Sequence, residues 1–356
     1  MASRARALLE TGRVPNTTAT IENGIITNDA PNVNDPRDVS GERARDAKAQ
    51  LLDNSRLEGD ALMGLSPRDR ERYQTVKASL LEPTPGKPDG DPVAALALQT
   101  MLLEGSLPGE RAGGGRDTLL GGLAKLATQE VGAGIDRQQL LSDVVQEVAS
   151  PMAINQSTKG TCVPTSIQMQ LIQNNPAEYV RLVSGLASPA GEVTTAGGDV
   201  LKVEPDALTD ATGRSVSQRL LAPALMELGN GRADYDNTDD KHTGGDPGSN
   251  EIGLTPSQAD RVLESLYGRD FAFSRTGSAA EKAAGTQMVM DELAAGRSVL
   301  VGLDWTGGGH KVLVTGTETR DGQEYLTIMN PWGRQESILR SEFEERLRNV
   351  NYDPNA

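Results

Sequence analysis

Cys162 is the only cysteine in this chain of 356 residues, and it shares the chain with just two histidines, His242 and His310. A thiol acts as a nucleophile in its thiolate form, and an imidazole can hold it so by forming an ion pair. His310 is the candidate base. It directly follows "WTGGG" and opens the β-rich run "KVLVTGTE", so a sheet fixes its position while the glycines leave the backbone open to a substrate. His242 sits in the acidic, glycine-rich stretch "DYDNTDDKHTGGD" and has neither feature. The segment "TRDGQ" predicts a hairpin turn centred near residues 320–322, which places His310 opposite a residue near 330–333. Asn330 falls there. Its amide oxygen can accept the imidazole N–H, and Trp332 beside it can shield that bond from water. Gln156 stands six positions before Cys162. Its side-chain amide and the Cys162 backbone N–H can serve as donors to an oxyanion formed in acyl transfer.

Helices and strands must position these groups. The run "TSIQMQLIQ" after Cys162 predicts a helix, with Pro164 in its first turn. Cys162 is then at the positive end of that helix, and a lowered thiol pKa is expected. Two further helices are predicted in this half. One starts with Thr255 as N-cap; the other starts with a capping box between Ser278 and Glu281 and stops at Gly296. Three strands follow, at 298–305, 311–318 and 324–330. Before Pro151, helical patterns at 66–81, 91–105 and 136–149 are separated by turn-forming stretches. Residues 1 to about 55 are rich in Asn, Asp, Pro, Thr and Arg and read as a flexible arm. The expected division is an arm over 1–55, a small helical region over 56–150 and the domain that carries the site over 151–356. The stretch from about 185 to 250 reads as polar and glycine-rich.

Composition narrows the function. A net charge of −15 argues against a nucleic-acid surface, which needs clustered Lys and Arg. No apolar run is long enough for a membrane span, and the opening "MASRARALLETG" lacks the apolar core of a secretory signal. The expected location is the cytoplasm, or export without a cleavable signal peptide. With 37% hydrophobic and 3% aromatic residues, a large share of loop is expected. One cysteine and two histidines without helical ligand spacing predict no metal site and no cofactor. The acidic loop 234–246 has Asp239 where a calcium-binding EF-hand needs glycine, so it reads as a solvated loop. The glycine run 113–115 has no strand before it and no Gly-Lys-Ser/Thr after it, so it reads as a linker, not a phosphate cradle.

The blocks "NQSTKGTCVPTS", "GGGHKVLVTG" and "IMNPWGRQ" together resemble the papain-like cysteine peptidases. The last block is most similar to calpains, and the first two are closer to the peptidase domains of bacteriocin-processing transporters, in which Asp is commoner than Asn as the third member. The resemblance spans roughly residues 150–356. It implies an α+β, papain-like fold in which a helix carrying the cysteine packs on an antiparallel sheet carrying the histidine and the amide. It further implies Cys162 as nucleophile, His310 as base, Asn330 as orienting group and Gln156 in the oxyanion hole, acting on a protein substrate. The chain departs from papain itself at Val163, with no aromatic residue following the cysteine, and it lacks the paired cysteines of secreted papains.

Singly these residues are unremarkable: a lone cysteine is more often a structural thiol, and Asn before Pro is an ordinary turn residue. Four residue types in the required order and spacing carry the expectation. The same groups could also remove a Gln side-chain amide or transfer an acyl group, and an inactive papain-like binding module is a third reading. The arm and helical region are expected to act as a delivery module, a partner- or inhibitor-binding module, or a pro-segment, which fits a bacterial effector or toxin.

Overall fold

A computed structural model describes residues 20–22, 25–27, 42–112, 117–243, 252–306 and 308–355. After a short hairpin, β1 (Thr20–Glu22) with β2 (Ile25–Thr27), six helices follow: α1 (Glu42–Asp53), α2 (Ser55–Met63), α3 (Pro67–Leu80), α4 (Pro92–Leu103), α5 (Leu119–Thr128) and α6 (Arg137–Ala149). Their starts are written locally. Ser66, Asp91, Thr118 and Asp136 each accept a hydrogen bond from the backbone N–H three residues on, and Pro67 and Pro92 occupy first-turn positions.

The second half begins with α7 (Cys162–Asn174) and α8 (Pro176–Leu186). A small hairpin, β3 (Glu192–Thr194) with β4 (Val200–Lys202), precedes α9 (Val216–Asn230), and a second, β5 (Asp234–Asp236) with β6 (Lys241–Thr243), follows it. The rest is α10 (Pro256–Tyr267), β7 (Ala272–Arg275), α11 (Ala279–Ala294), β8 (Val299–Trp305), β9 (Gly308–Arg320), β10 (Gln323–Asn330), β11 (Arg334–Leu339), α12 (Arg340–Arg346) and β12 (Leu347–Tyr352). The last six strands form one antiparallel sheet in the order β11-β10-β9-β8-β12-β7. The chain is thus a mixed helix-and-sheet protein, in line with the α+β expectation. The capping boxes at Thr255 and Ser278 are both formed.

The sheet has a core on each face. Alternate residues of β8 and β9 separate them: Leu300 and Leu313 join the helical core, while Val299, Val301, Val312 and Val314 pack under α11 and α12 with Val289 and Phe343. Helix α7 lies on the first face, against β8, β9 and β10.

Three expectations need revision. The expected arm over 1–55 falls partly outside the described residues, but α1 is a packed helix, with Ala47 fully buried against Leu96 and Val93 of α4. Its hydrophobic periodicity is weak because polar groups tie it in: Gln50 Nε2 donates to Asn54 Oδ1 and Asn54 Nδ2 to Gln99 Oε1. Pro151 is also not a break in packing. One core runs from Tyr73 and Leu98 through Leu123 and Val144 to Val180, Leu220 and Leu313. The stretch 185–250 contains α9, whose Leu220, Leu221, Leu225 and Met226 are fully buried. The glycine run 113–115 lies outside the described residues, as does the end of the acidic loop from 244.

Candidate active site

The ring of His310 is pinned at the start of β9. Its Nε2 is 3.0 Å from Asn330 Oδ1, and the two side chains are almost wholly buried. The orientation of the Asn330 amide is decided by its other contacts. Its Nδ2 donates to the Glu336 carboxylate at 3.2 Å, and its Oδ1 also accepts the Trp332 backbone N–H at 3.2 Å. The amide oxygen therefore faces the imidazole, so Nε2 carries the ring proton and Nδ1 presents a lone pair. Among the described residues Nδ1 has no hydrogen-bond partner. Trp332 stacks on the imidazole at 4.1 Å with an interplanar angle of 13°, and Trp305 packs on the same ring with centroids 5.3 Å apart. The expected shield over the His–Asn bond is in place.

The thiol arrives from the helical side of the sheet. Cys162 opens α7, and its sulfur meets the backbone N–H groups of Lys311, Val163 and Cys162 itself. Strand β8 fills one side of β9 at this height, pairing Leu303 with His310 and Gly302 with Lys311. The ladder between β9 and β10 has already ended at Leu313 and Met329. The thiol thus occupies the side of β9 that β10 has vacated, next to the residue that follows His310. Ser166 Oγ donates to Lys311 O at 3.0 Å and locks the helix to the strand there.

The loop before Cys162 is held from several directions. Gln156 N donates to Pro331 O at 2.8 Å, which ties it to the residue after Asn330. Gln156 Nε2 donates to Lys159 O at 2.6 Å, leaving one amide hydrogen uncommitted. Lys159 Nζ donates to Asn237 O at 2.5 Å, and Gly160 N donates to Asp240 Oδ2 at 2.7 Å, so the β5–β6 hairpin braces the loop. A Cβ at position 160 would lie 1.8 Å from Ile252 Cγ2, so any side chain there would have to displace Ile252.

Electrostatics corrects one expectation. Burial pushes the Cys162 thiol up, and the Lys311 backbone N–H and charge offset this only in part, so the helix N-terminus does not give a lowered thiol. Burial likewise pushes His310 down to about 4, against the opposing Asn330 hydrogen bond and with the Arg334 charge lowering it further. Both shifts favour the neutral form of their group.

His242 is placed elsewhere, with Nδ1 at 2.6 Å from Asn230 Nδ2 and Nε2 at 3.0 Å from Gly253 O. Neither nitrogen is left for catalysis. The carboxylates of Glu204, Glu227 and Asp234 converge within 4.8 Å, a grouping that sequence spacing does not reveal. Burial, followed by the neighbouring carboxylates, raises Glu204 to about 7, and Glu227 Oε1 is already occupied by the Tyr235 N–H.

No protein-family model matches the chain, and no curated protein matches it significantly. Sequence reasoning missed Glu336, Asp240, Lys159 and Lys311. Only Glu336 had a local signal, as a carboxylate across the tight turn from Asn330. Among the described residues, no helix is long and apolar enough to cross a membrane.

Proposed function

We propose that this chain is a papain-like cysteine peptidase that hydrolyses peptide bonds of a protein substrate. The observation that carries this reading is the His310 tautomer: its N–H is committed to Asn330, Nδ1 has no partner among the described residues, and the Cys162 thiol meets the backbone N–H of the next residue, Lys311. In the first step the S–H bond breaks, the proton moves to Nδ1, and sulfur attacks the substrate carbonyl carbon. The Cys162 backbone N–H and the uncommitted hydrogen of the Gln156 amide stabilise the oxyanion. The imidazolium then protonates the leaving amine as the C–N bond breaks, which leaves a thioester. Water, deprotonated by Nδ1, attacks the thioester, and the thiol leaves with its proton restored. A neutral pair fits this cycle, because the proton passes to Nδ1 as sulfur attacks the carbonyl carbon.

The test is to incubate a complex protein mixture with the chain and with its Cys162→Ala variant, then compare the products by mass spectrometry. New peptide termini that depend on Cys162 are expected. Mass gains of about 1 Da at Gln without new termini would instead mark a deamidase, since both reactions pass through the same thioester.

A further inference from the structure

The acidic stretch that begins at Asp234 reads as a solvated loop from its sequence, yet its turn is fastened to the loop that precedes Cys162. Lys159 is buried, and its Nζ donates to Asn237 O at 2.5 Å and to Thr238 O at 3.2 Å. Asp240 ends the same turn at φ 55°, a left-handed conformation that Asp adopts more readily than most residues. Its Oδ2 accepts the Gly160 N–H at 2.7 Å and its Oδ1 accepts the Tyr235 hydroxyl at 2.6 Å, so both carboxylate oxygens are engaged. Tyr235 is itself buried and set in β5 opposite His242. The N–H that Asp240 holds belongs to the same planar peptide as the Lys159 carbonyl, and that carbonyl accepts Gln156 Nε2 at 2.6 Å. Gly160 has the widest backbone freedom of any residue type, so the orientation of this peptide depends on what its two polar groups bind. Among the described residues Gln156 Oε1 has no partner. The Lys159 carbonyl therefore holds the Gln156 amide, and Asp240 fixes where that carbonyl points.

We propose that Asp240 is a positioning residue for the acyl-transfer reaction: through the peptide that joins Lys159 to Gly160, its carboxylate sets the Gln156 amide so that the second Nε2 hydrogen is presented to the oxyanion. This rests on the reading of Gln156 as an oxyanion donor. With the Lys159 carbonyl fixed, a reversed amide would place Oε1 against Lys159 O, two acceptors with no hydrogen between them, so one orientation is selected. With that carbonyl free to swing away, both orientations open, and the amide oxygen can then face the developing negative charge and repel it. A donor that is already in place needs no reorganisation in the transition state, so the contribution of Asp240 falls on kcat. The residue stands 80 positions after Gly160 in the chain and acts only through Gln156, without touching the reacting atoms.

A double-mutant cycle on the full chain tests this route, read by turnover of a quenched fluorescent peptide that spans a cleavage site found in the protein mixture. Asp240→Gly removes the carboxylate and suits the left-handed backbone; it is expected to lower kcat about tenfold and to leave KM within about twofold. Asp240→Asn, whose amide oxygen can still accept the Gly160 N–H, should recover most of that loss. Gln156→Ala should cost about 10²-fold, and adding Asp240→Gly to it should cost nothing more. Losses that multiply in the double variant, or a loss that falls on KM alone, overturn the proposal. The side-chain amide signals of Gln156 in a proton–nitrogen NMR spectrum, identified by their absence from Gln156→Ala, read the same relay without turnover. They should move toward the position of solvated glutamine amides in Asp240→Gly and stay in place in Asp240→Asn. If circular dichroism shows Asp240→Gly unfolded, Tyr235→Phe, which frees Oδ1, decides by the same cycle, with an expected fall in kcat of about two- to threefold. Moved signals in a chain that produces no new termini leave the hold of Asp240 on Gln156 standing and remove the peptidase reading. New termini with unmoved signals in a folded variant do the opposite.

Discussion

The two faces of the six-stranded sheet are built differently, and the site lies where they meet. One face carries His310 and Asn330 above a compact apolar core of Val301, Val312, Val314, Leu326 and Ile328, closed by α11 and α12. Here neighbours in sequence do the work: the segment from Asn330 to Glu336 supplies the orienting amide, the stacking indole and the carboxylate that sets the amide. The other face carries Lys311 and receives Cys162 from a large helical core to which residues 73–145 contribute a large share. Its contacts join residues far apart in the chain. The difference shows that His310 is held by local structure, whereas Cys162 is placed by the packing of nearly the whole molecule.

The strongest way to break this comparison is to remove the helical layer. A chain shortened to begin at Ser142 lacks α1–α5, exposing Val180, which Gly122 of α5 contacts closely, along with much of the shared core. It should fail to give a cooperative thermal transition, whereas a detachable pro-segment would leave one intact. Circular dichroism melting of both chains decides between them.

Substitutions on the His310 face should leave the fold and remove activity in graded fashion. His310→Ala is expected to lower kcat/KM by about 10⁴-fold or more, because it removes the base itself. Asn330→Ala should cost on the order of 10²-fold, since orientation is lost but Nδ1 remains. Glu336→Gln should cost only several-fold, because a neutral amide can still accept from Asn330. Peptide turnover by the three variants tests this order, and Glu336→Gln falling as low as His310→Ala would show that the carboxylate does more than orient the amide.

The smallest expected effect concerns stability on the helical side. Asp143 of α6 is 1% exposed and accepts the Val216 N–H at 2.7 Å, which joins the N-terminal helices to α9. Burial, followed by the charge of Glu147, raises its carboxyl to about 8. Because the folded value lies above the ordinary 3.8, the stability linked to its protonated form is full below about pH 4 and is lost as pH rises through about 8. Asp143→Asn should therefore raise the melting temperature by a few degrees at pH 8 and change it little at pH 4. An equal shift at both pH values would mean that Asp143 is already ionised in the folded protein.

The candidate site was largely legible in the sequence because its parts are short and local. A helix start after Cys162, a strand start at His310 and a tight turn near Asp321 fix where three side chains go to within a few residues. The α+β class followed from the same patterns. The extent of the core was hidden, because this protein buries many polar side chains. Gln99, Gln168, Gln218, Thr165 and Ser217 are fully enclosed, so α1 and α9 lie in stretches that hydrophobic pattern reads as arm and loop.

By itself the sequence determined the order of Cys162, His310 and Asn330 along the chain, the helix caps and the hairpin turn, each of which depends on neighbours a few positions apart. Only the tertiary structure decided their chemical state. Burial sets the thiol high and the imidazole low regardless of the helix terminus beside the thiol. Desolvation and charge proximity are sums over everything that packs around a group, and no stretch of sequence contains that sum.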